Sequence, residues 1–171
     1  MKGYIHVYTG NGKGKTTAAF GIALRAAGAG KKIFIAQFVK GKIYSEVGAL
    51  DKFLPQIKLV QYGRGCFIVR EPVNDDIEAA RRGLAETGKI INEGNYDMVI
   101  LDEACIALYY NLFSTDELID ILKKKNEECE IIITGRYAPQ ELIDYADLVT
   151  EMKEVKHYYS SGVKAREGIE Y

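Results

Sequence analysis

Val7-Tyr8-Thr9-Gly10-Asn11-Gly12-Lys13-Gly14-Lys15-Thr16-Thr17 sets three glycines and two lysines between an apolar run and an alanine-rich one. Glycine has no Cβ, so successive backbone N–H groups can turn toward one anion. A helix opening at Lys15 adds its positive end, and a lysine and a hydroxyl complete a phosphate cradle. Gly14-Lys15-Thr16 matches the end of the Walker A pattern, while Thr9 stands where that pattern has its first glycine. The plain alternative is a glycine-rich turn with a surface lysine. The flanks weigh against it, because such a motif is credible where a strand enters and a helix leaves.

Ahead of the glycines of this stretch, Tyr4 to Tyr8 is short, β-branched and aromatic, as a strand should be. Lys15 to Ala29 carries Ala18, Ala19, Ile22, Ala23 and Ala26 at helical spacing, and Gly28 and Gly30 end it. Lys32 to Val39 follows as the nearly unbroken apolar run of a strand buried on both faces. Ser45 to Phe53 fits a short helix and Gln56 to Tyr62 a strand, and Gly63 to Pro72 is a glycine-rich loop with an apolar centre at Cys66, Phe67, Ile68 and Val69. Asp75 and Glu78 have capping-box spacing ahead of an apolar face at Ile77, Ala80, Leu84 and Ile91, in a helix predicted to end near Gly94. Tyr96 to Glu103 reads as a buried strand ending in two carboxylates. A second capping box, Ser114 with Glu117, opens a helix that runs to Lys123-Lys124-Lys125, whose charge offsets the helix macrodipole. Glu130 to Thr134 is another buried strand, Pro139 fits the first turn of a short helix through Tyr145, and Asp147 to Glu151 is the last strand. This alternation predicts an α/β fold, a three-layer, P-loop NTPase-like open sheet that is mostly parallel with helices on both faces.

Composition narrows the function further. A chain of 171 residues, 47% apolar, is long enough for a sizeable core, and residues 1–171 are expected to form a single domain. The formal net charge of -1 gives no mark of a nucleic-acid or membrane binder. Cys66, Cys105 and Cys129 are odd in number and far apart, which argues against a disulfide framework, a CxxC pair or a zinc site and points to a reducing compartment. Met1-Lys2-Gly3 runs straight into the first strand without a leader, and no run reaches the length of a membrane span, so a cytoplasmic protein is expected.

Lys15 is the expected phosphate ligand and Thr16 the hydroxyl that reaches Mg²⁺, with Asp102 or Glu103 as the acidic partner. Asp102 and Glu103 merely capping a helix that starts at Ala104 is the alternative. His6 lies inside a strand and reads as packed, Cys66 is either a reactive thiol near Arg64 and Arg70 or a small hydrophobe, and no protein nucleophile is visible. The residues alone therefore lead to a Mg-nucleotide enzyme or switch.

Six separated blocks carry a resemblance that goes further: Thr9 to Ala19, Arg25, Gln37-Phe38-Val39-Lys40-Gly41, Leu101-Asp102-Glu103, Ile133-Thr134-Gly135-Arg136, and the tail from Val155 to Tyr171. Taken together they resemble the P-loop type of ATP:corrinoid adenosyltransferases, from Tyr4 to the last residue. The resemblance implies that a Co(I) corrinoid attacks the 5′ carbon of ATP and that triphosphate leaves, so the nucleophile belongs to the substrate. It implies nucleotide contacts from Thr9, Gly10, Asn11, Gly12, Lys13, Gly14, Lys15, Thr16, Thr17, Arg25, Arg136, Lys156 and His157, and Mg²⁺ held by Thr16 with Asp102 and Glu103. It makes Thr9 a habit of the family, whose nucleotide lies reversed relative to ordinary P-loop enzymes. Phe67, with Ile68 or Val69, matches in position the segment that displaces the corrinoid's lower ligand, where the family carries two aromatics. Anchoring of this loop on the core is the competing reading. A reduced flavoprotein electron donor and a homodimer are implied as partners, and no N-terminal extension precedes the first strand to help cover the site. The runner-up is a P-loop ATPase or small-molecule kinase, with Arg136 as a possible arginine finger; a nucleotide-gated switch is the third class.

Overall fold

The computed structural model describes residues 2–41, 44–64 and 71–171. Along the chain lie β1 (Ile5–Thr9), α1 (Lys15–Gly28), β2 (Ile33–Phe38), α2 (Ser45–Phe53), β3 (Ile57–Tyr62) and α3 (Asn74–Glu93). They are followed by β4 (Met98–Asp102), α4 (Ala104–Tyr109), α5 (Thr115–Leu122), β5 (Glu130–Thr134), α6 (Gln140–Tyr145) and β6 (Leu148–Glu151). The strands form one sheet in the order β3-β2-β4-β5-β1-β6, and every pairing is parallel. The expected open α/β sheet is therefore present, and it is parallel throughout rather than mostly so.

Period-two alternation divides the core between the two faces of this sheet. Ile33 and Ile35 of β2, Ile100 of β4 and Ile132 of β5 pack with Ala19, Ala23 and Ala27 of α1 and Leu50 of α2. Phe34, Ala36 and Phe38, with Val99, Leu101, Ile131 and Ile133, pack with Leu84, Leu118 and Leu142 on the other side. A shift of one residue would exchange the two faces, so the register is strongly specified. Each fully buried Ile or Phe side chain contributes about 1.5–3 kcal/mol relative to exposure, which makes β2, buried along its whole length, an anchor of the sheet.

Two local expectations need correction. The cap of α3 is formed by Val73 and Asp76, not by Asp75 and Glu78: the Val73 N–H donates to Asp76 Oδ2 at 3.1 Å, and the Asp76 N–H to the Val73 carbonyl at 2.9 Å. The helix starts two residues earlier than the Asp-x-x-Glu spacing implies, because the carboxylate that can reach back over an extended residue is Asp76. Pro139 lies just outside α6 as its N-cap, with extended backbone at ψ 150°, rather than in its first turn. By contrast, Ser114 and Glu117 exchange both hydrogen bonds of the expected capping box, at 2.7 and 3.1 Å. The lysine run follows the α5 terminus, as expected, and Gly30, in left-handed backbone at φ 78°, closes α1. His6 is packed, with Nε2 2.7 Å from Glu130 Oε1. Among the described residues, no helix is long and apolar enough to cross a membrane.

Because all strands run the same way, the segments after β1, β2, β4 and β5 emerge at one edge. The strand order sets β5 between β1 and β4, and β2 on the far side of β4. Cys66, Phe67, Ile68 and Val69 lie outside the described residues.

Candidate functional site

Asp102, the last residue of β4, is completely buried and lies at the centre of that edge. Four side chains donate to it. Oδ1 accepts from the hydroxyls of Thr16 and Thr134, each at 2.8 Å. Oδ2 accepts from Gln37 Nε2 at 3.0 Å and from Lys40 Nζ at 3.1 Å. The donors come from α1, β5, β2 and the segment after β2, so one carboxylate ties four elements together. Gln61 Nε2 extends the chain by donating to Gln37 Oε1 at 2.8 Å. Burial alone would raise the pKa of Asp102, but Lys40 and the bonds from Gln37, Thr134 and Thr16 outweigh it and hold the pKa below the ordinary aspartate value.

Glu103 differs from its neighbour. It caps α4 in left-handed backbone, φ 58°, and its N–H donates to Thr134 Oγ1 at 3.0 Å. Burial, followed by the adjacent Asp102 charge, pushes its pKa up. Its Oε1 lies 3.9 Å from Lys40 Nζ. The charged form of Glu103 therefore costs stability, a cost that is absent below its unfolded pKa and develops as pH rises through the higher folded value. Glu103→Gln should raise the Tm by a few degrees at neutral pH, the gain vanishing on acidification, while lowering turnover by at least about a hundredfold if this carboxylate holds a metal ion. Thermal melts across pH beside a rate assay check this; a lower Tm for the variant at neutral pH would contradict it.

The loop between β1 and α1 wraps around Lys15, whose Nζ donates to the carbonyls of Gly10 and Gly12 at 2.8 and 2.7 Å. Burial, then the Arg136 charge, lower the Lys15 pKa. Two of the glycines are required by the chain that passes behind them. A Cβ on Gly10, itself at φ 94°, would lie 2.5 Å from the Met152 carbonyl oxygen, and one on Gly12 2.8 Å from it. The Gly12 N–H is spent on that oxygen at 2.7 Å, so it does not point at the cradle as the simple motif reading would have it. Thr9 Oγ1 accepts from the Ala138 N–H at 3.4 Å, which gives the departure from the first-glycine position a structural use.

The structure brings together Thr9, Gly10, Gly12, Gly14, Lys15, Thr16, Asp102 and Glu103, with Arg136 close enough to act on Lys15 and Glu103. Asn11 and Thr17 are exposed on the same loop and the first turn of α1. Lys13 points elsewhere: its Nζ donates to Glu170 Oε1 at 2.7 Å, to the Ile169 carbonyl at 2.8 Å and to the Tyr158 hydroxyl at 3.2 Å. Lys156 and His157 line a cleft with Gly12, Lys13 and Tyr158. Arg25 is exposed on α1, about 15 Å farther along the helix than Lys15. Cys105 is buried, and burial and Glu103 push its thiol up to about 12, which leaves it inert.

Gln37, Lys40, Thr134 and Glu170 were not singled out as site residues by sequence reasoning. Gln37 and Thr134 did carry a signal, since each is a polar residue at the end of an otherwise apolar buried strand and needs a buried partner. Backbone strain marks the same edge. Among the described residues, three of the four non-glycine residues at positive φ follow β2, β4 and β5: Val39 at 54°, Glu103 at 58° and Tyr137 at 61°. Such conformations cost about 1–3 kcal/mol each and gather at functional sites.

A cation fits this arrangement. Thr16 spends its proton on Asp102 and keeps its lone pairs for a ligand role, while Asp102 already has a donor at each of its acceptor positions. Among the described residues no cluster of three or more His, Cys, Asp or Glu side chains is poised for a metal. One hydroxyl and one carboxylate suit Mg²⁺, which takes few protein ligands and completes its shell with water and phosphate oxygens.

Residues 1–171 match the family model described as ATP:corrinoid adenosyltransferase BtuR/CobO/CobP. The chain is 36% identical to the corrinoid adenosyltransferase of Escherichia coli K12, over 99% of this chain and 86% of that protein. It is 38% identical to corrinoid adenosyltransferase CobA of Salmonella typhimurium, over 99% and 86%, and 32% identical to the corrinoid adenosyltransferase of Pseudomonas aeruginosa, over 99% and 84%.

Proposed function

The chain belongs to the ATP:corrinoid adenosyltransferases, whose reaction moves the 5′-deoxyadenosyl group of ATP to a corrinoid, and we propose that the edge around Asp102 is where this chain performs it. The observation that carries the assignment is the four-donor hold on Asp102, which joins the glycine-rich loop, through Thr16, to the ends of β2, β4 and β5.

In this reaction the cobalt lone pair of the Co(I) corrinoid substrate forms the Co–C bond to C5′. The C5′–O bond breaks, and its electrons leave with triphosphate. No protein nucleophile is required, in keeping with the packed His6 and the inert Cys105. The work of the protein is to position the two substrates and to stabilise charge growing on the leaving group. Lys15 and the N-terminus of α1 serve that charge directly, with Arg136 beside them, while the nucleotide contact of Lys13 rests on the family pattern alone, since Glu170 holds its ammonium. Gly10, Gly12 and Gly14 shape the loop, Thr9 ties it to the segment after β5, and Asn11 and Thr17 lie along it. Thr16 and Glu103 would hold Mg²⁺, and Asp102 acts as the acceptor that orients the Thr16 hydroxyl. When bound, Mg²⁺ adds Lewis-acid stabilisation to the departing oxygens. Lys156 and His157 flank the cleft beside the loop and are assigned to the nucleotide, as is Arg25 on the strength of the family pattern. Phe67 keeps the role the family resemblance implies, displacement of the corrinoid's lower ligand.

The same reading makes residues 1–171 one catalytic domain, a homodimer in the cytoplasm, supplied by a reduced flavoprotein because the sequence offers no redox centre. The test is product identity. Protein, MgATP and chemically reduced cobalamin, incubated without oxygen, should yield a light-sensitive Co–C species and intact triphosphate. Release of ADP and phosphate without alkylated corrinoid would overturn the proposal and favour phosphoryl transfer.

A further inference from the structure

We propose that Lys40 is a positioning residue that serves as the site's resident cation. It balances Asp102 and Glu103 before substrate arrives, so that a divalent cation enters only together with the nucleotide's phosphates. The inference rests on the reading that places Mg²⁺ at Thr16 and Glu103.

Lys40 follows a strand that would otherwise carry it out toward solvent. Instead, the chain turns back at Val39, a β-branched residue held at φ 54°, and the Lys40 side chain is only 6% exposed. The turn requires Gly63 opposite it: a Cβ there would stand 2.5 Å from the Lys40 nitrogen and 2.7 Å from its carbonyl oxygen. A strained β-branched residue and a glycine without space for a side chain thus cooperate to bury one lysine. A surface lysine needs neither.

What the lysine reaches gives the reason. Its ammonium lies 3.1 Å from Asp102 Oδ2 and 3.9 Å from Glu103 Oε1, and 5.8 Å from the centre of the Tyr44 ring. A buried ion pair is weak grounds for stability, because desolvation cancels much of the attraction. A role in substrate binding accounts better for the strain. With two carboxylates set against the ammonium groups of Lys40 and Lys15, the substrate-free edge presents no net negative charge to a bare divalent ion. The nearby Arg136 adds further positive charge. A triphosphate reverses this balance, and the ion then finds phosphate oxygens as well as Thr16 and Glu103. Without the Lys40 charge, the pair would attract a divalent ion before any nucleotide had bound.

Mn²⁺ alone, titrated into the nucleotide-free full chain and followed by electron paramagnetic resonance, tests the inference. Wild type should bind it only at millimolar concentration. Lys40→Met and Lys40→Gln should tighten Mn²⁺ binding by about tenfold or more, from the loss of one unit of repulsion at close range, and Lys40→Arg should restore the wild-type value. Unchanged or weaker Mn²⁺ affinity in either neutral variant, once circular dichroism shows it folded, would overturn the inference. If neither neutral variant folds, wild type decides: micromolar affinity for Mn²⁺ alone rejects it, and millimolar affinity that becomes micromolar with inorganic triphosphate present upholds it. A Glu103→Gln arm with Mn²⁺ and ATP separates the layers. Loss of protein-bound metal there supports the metal site whatever Lys40 does, whereas retention removes the underlying reading itself.

Discussion

Lys15→Ala is expected to lower adenosyl transfer by about a hundred- to a thousandfold, the scale seen when a donor aimed at developing negative charge is removed. Lys15 is only 8% exposed, and its ammonium is folded onto the Gly10 and Gly12 carbonyls of its own loop. A cation held there before substrate binds needs only a short movement to reach a phosphate, and burial makes its charge count for more than it would in water. The fold should survive, because the loop is independently tied to Met152 through Gly12 and to Ala138 through Thr9. Rates of Co–C bond formation under anaerobic reduction, beside a thermal melt, separate the two effects. A rate within a few-fold of wild type would contradict the role given to Lys15, and collapse of the melt would show that the lysine acts mainly as a brace.

Asp102→Ala should cost about 3–5 kcal/mol of stability, the range for breaking a buried ion pair from one side. The variant strands the Lys40 ammonium and removes the acceptor for Thr16, Thr134 and Gln37 together. Urea denaturation measures the loss. The sign of its pH dependence follows from the lowered folded pKa of Asp102: the stabilisation due to its charge is present above the unfolded value and is lost as pH falls through the folded one. The gap between wild type and variant should therefore be widest near neutrality and narrow in acid. Combining Asp102→Leu with Lys40→Met should recover part of the loss, since no unpaired charge then remains buried. A single variant that unfolds at the wild-type urea concentration would show that the carboxylate does not hold the four elements together.

Much of this was legible in the chain. Strand, glycine-rich loop and helix from Ile5 to Gly28 followed from local patterning, and Asp102 and Glu103 were found because two carboxylates end an otherwise apolar strand. The division of labour between them was not legible. Asp102 became the acceptor of four donors and Glu103 the strained cap with a raised pKa only once β5 was inserted between β1 and β4, which brought the Thr134 hydroxyl to Asp102 Oδ1 beside that of Thr16 and under the Glu103 N–H. Lys13 gives the opposite case. Its place in the motif suggested a phosphate ligand, yet Glu170, far along the chain, takes its ammonium and lies with its own pKa lowered by Lys13 and Tyr158.

Local chemistry thus determined the elements and the residue types of the cradle, because propensity, alternation and turn preference act over a few neighbouring residues. Which strand lies beside which, the burial of Lys40 behind Val39 and Gly63, the loss of the Gly12 N–H to Met152 and the closure of the tail on Lys13 were decided by tertiary structure alone. Each depends on contacts between segments distant in sequence, formed only when the hydrophobic faces of the sheet are covered and the parallel crossovers are complete.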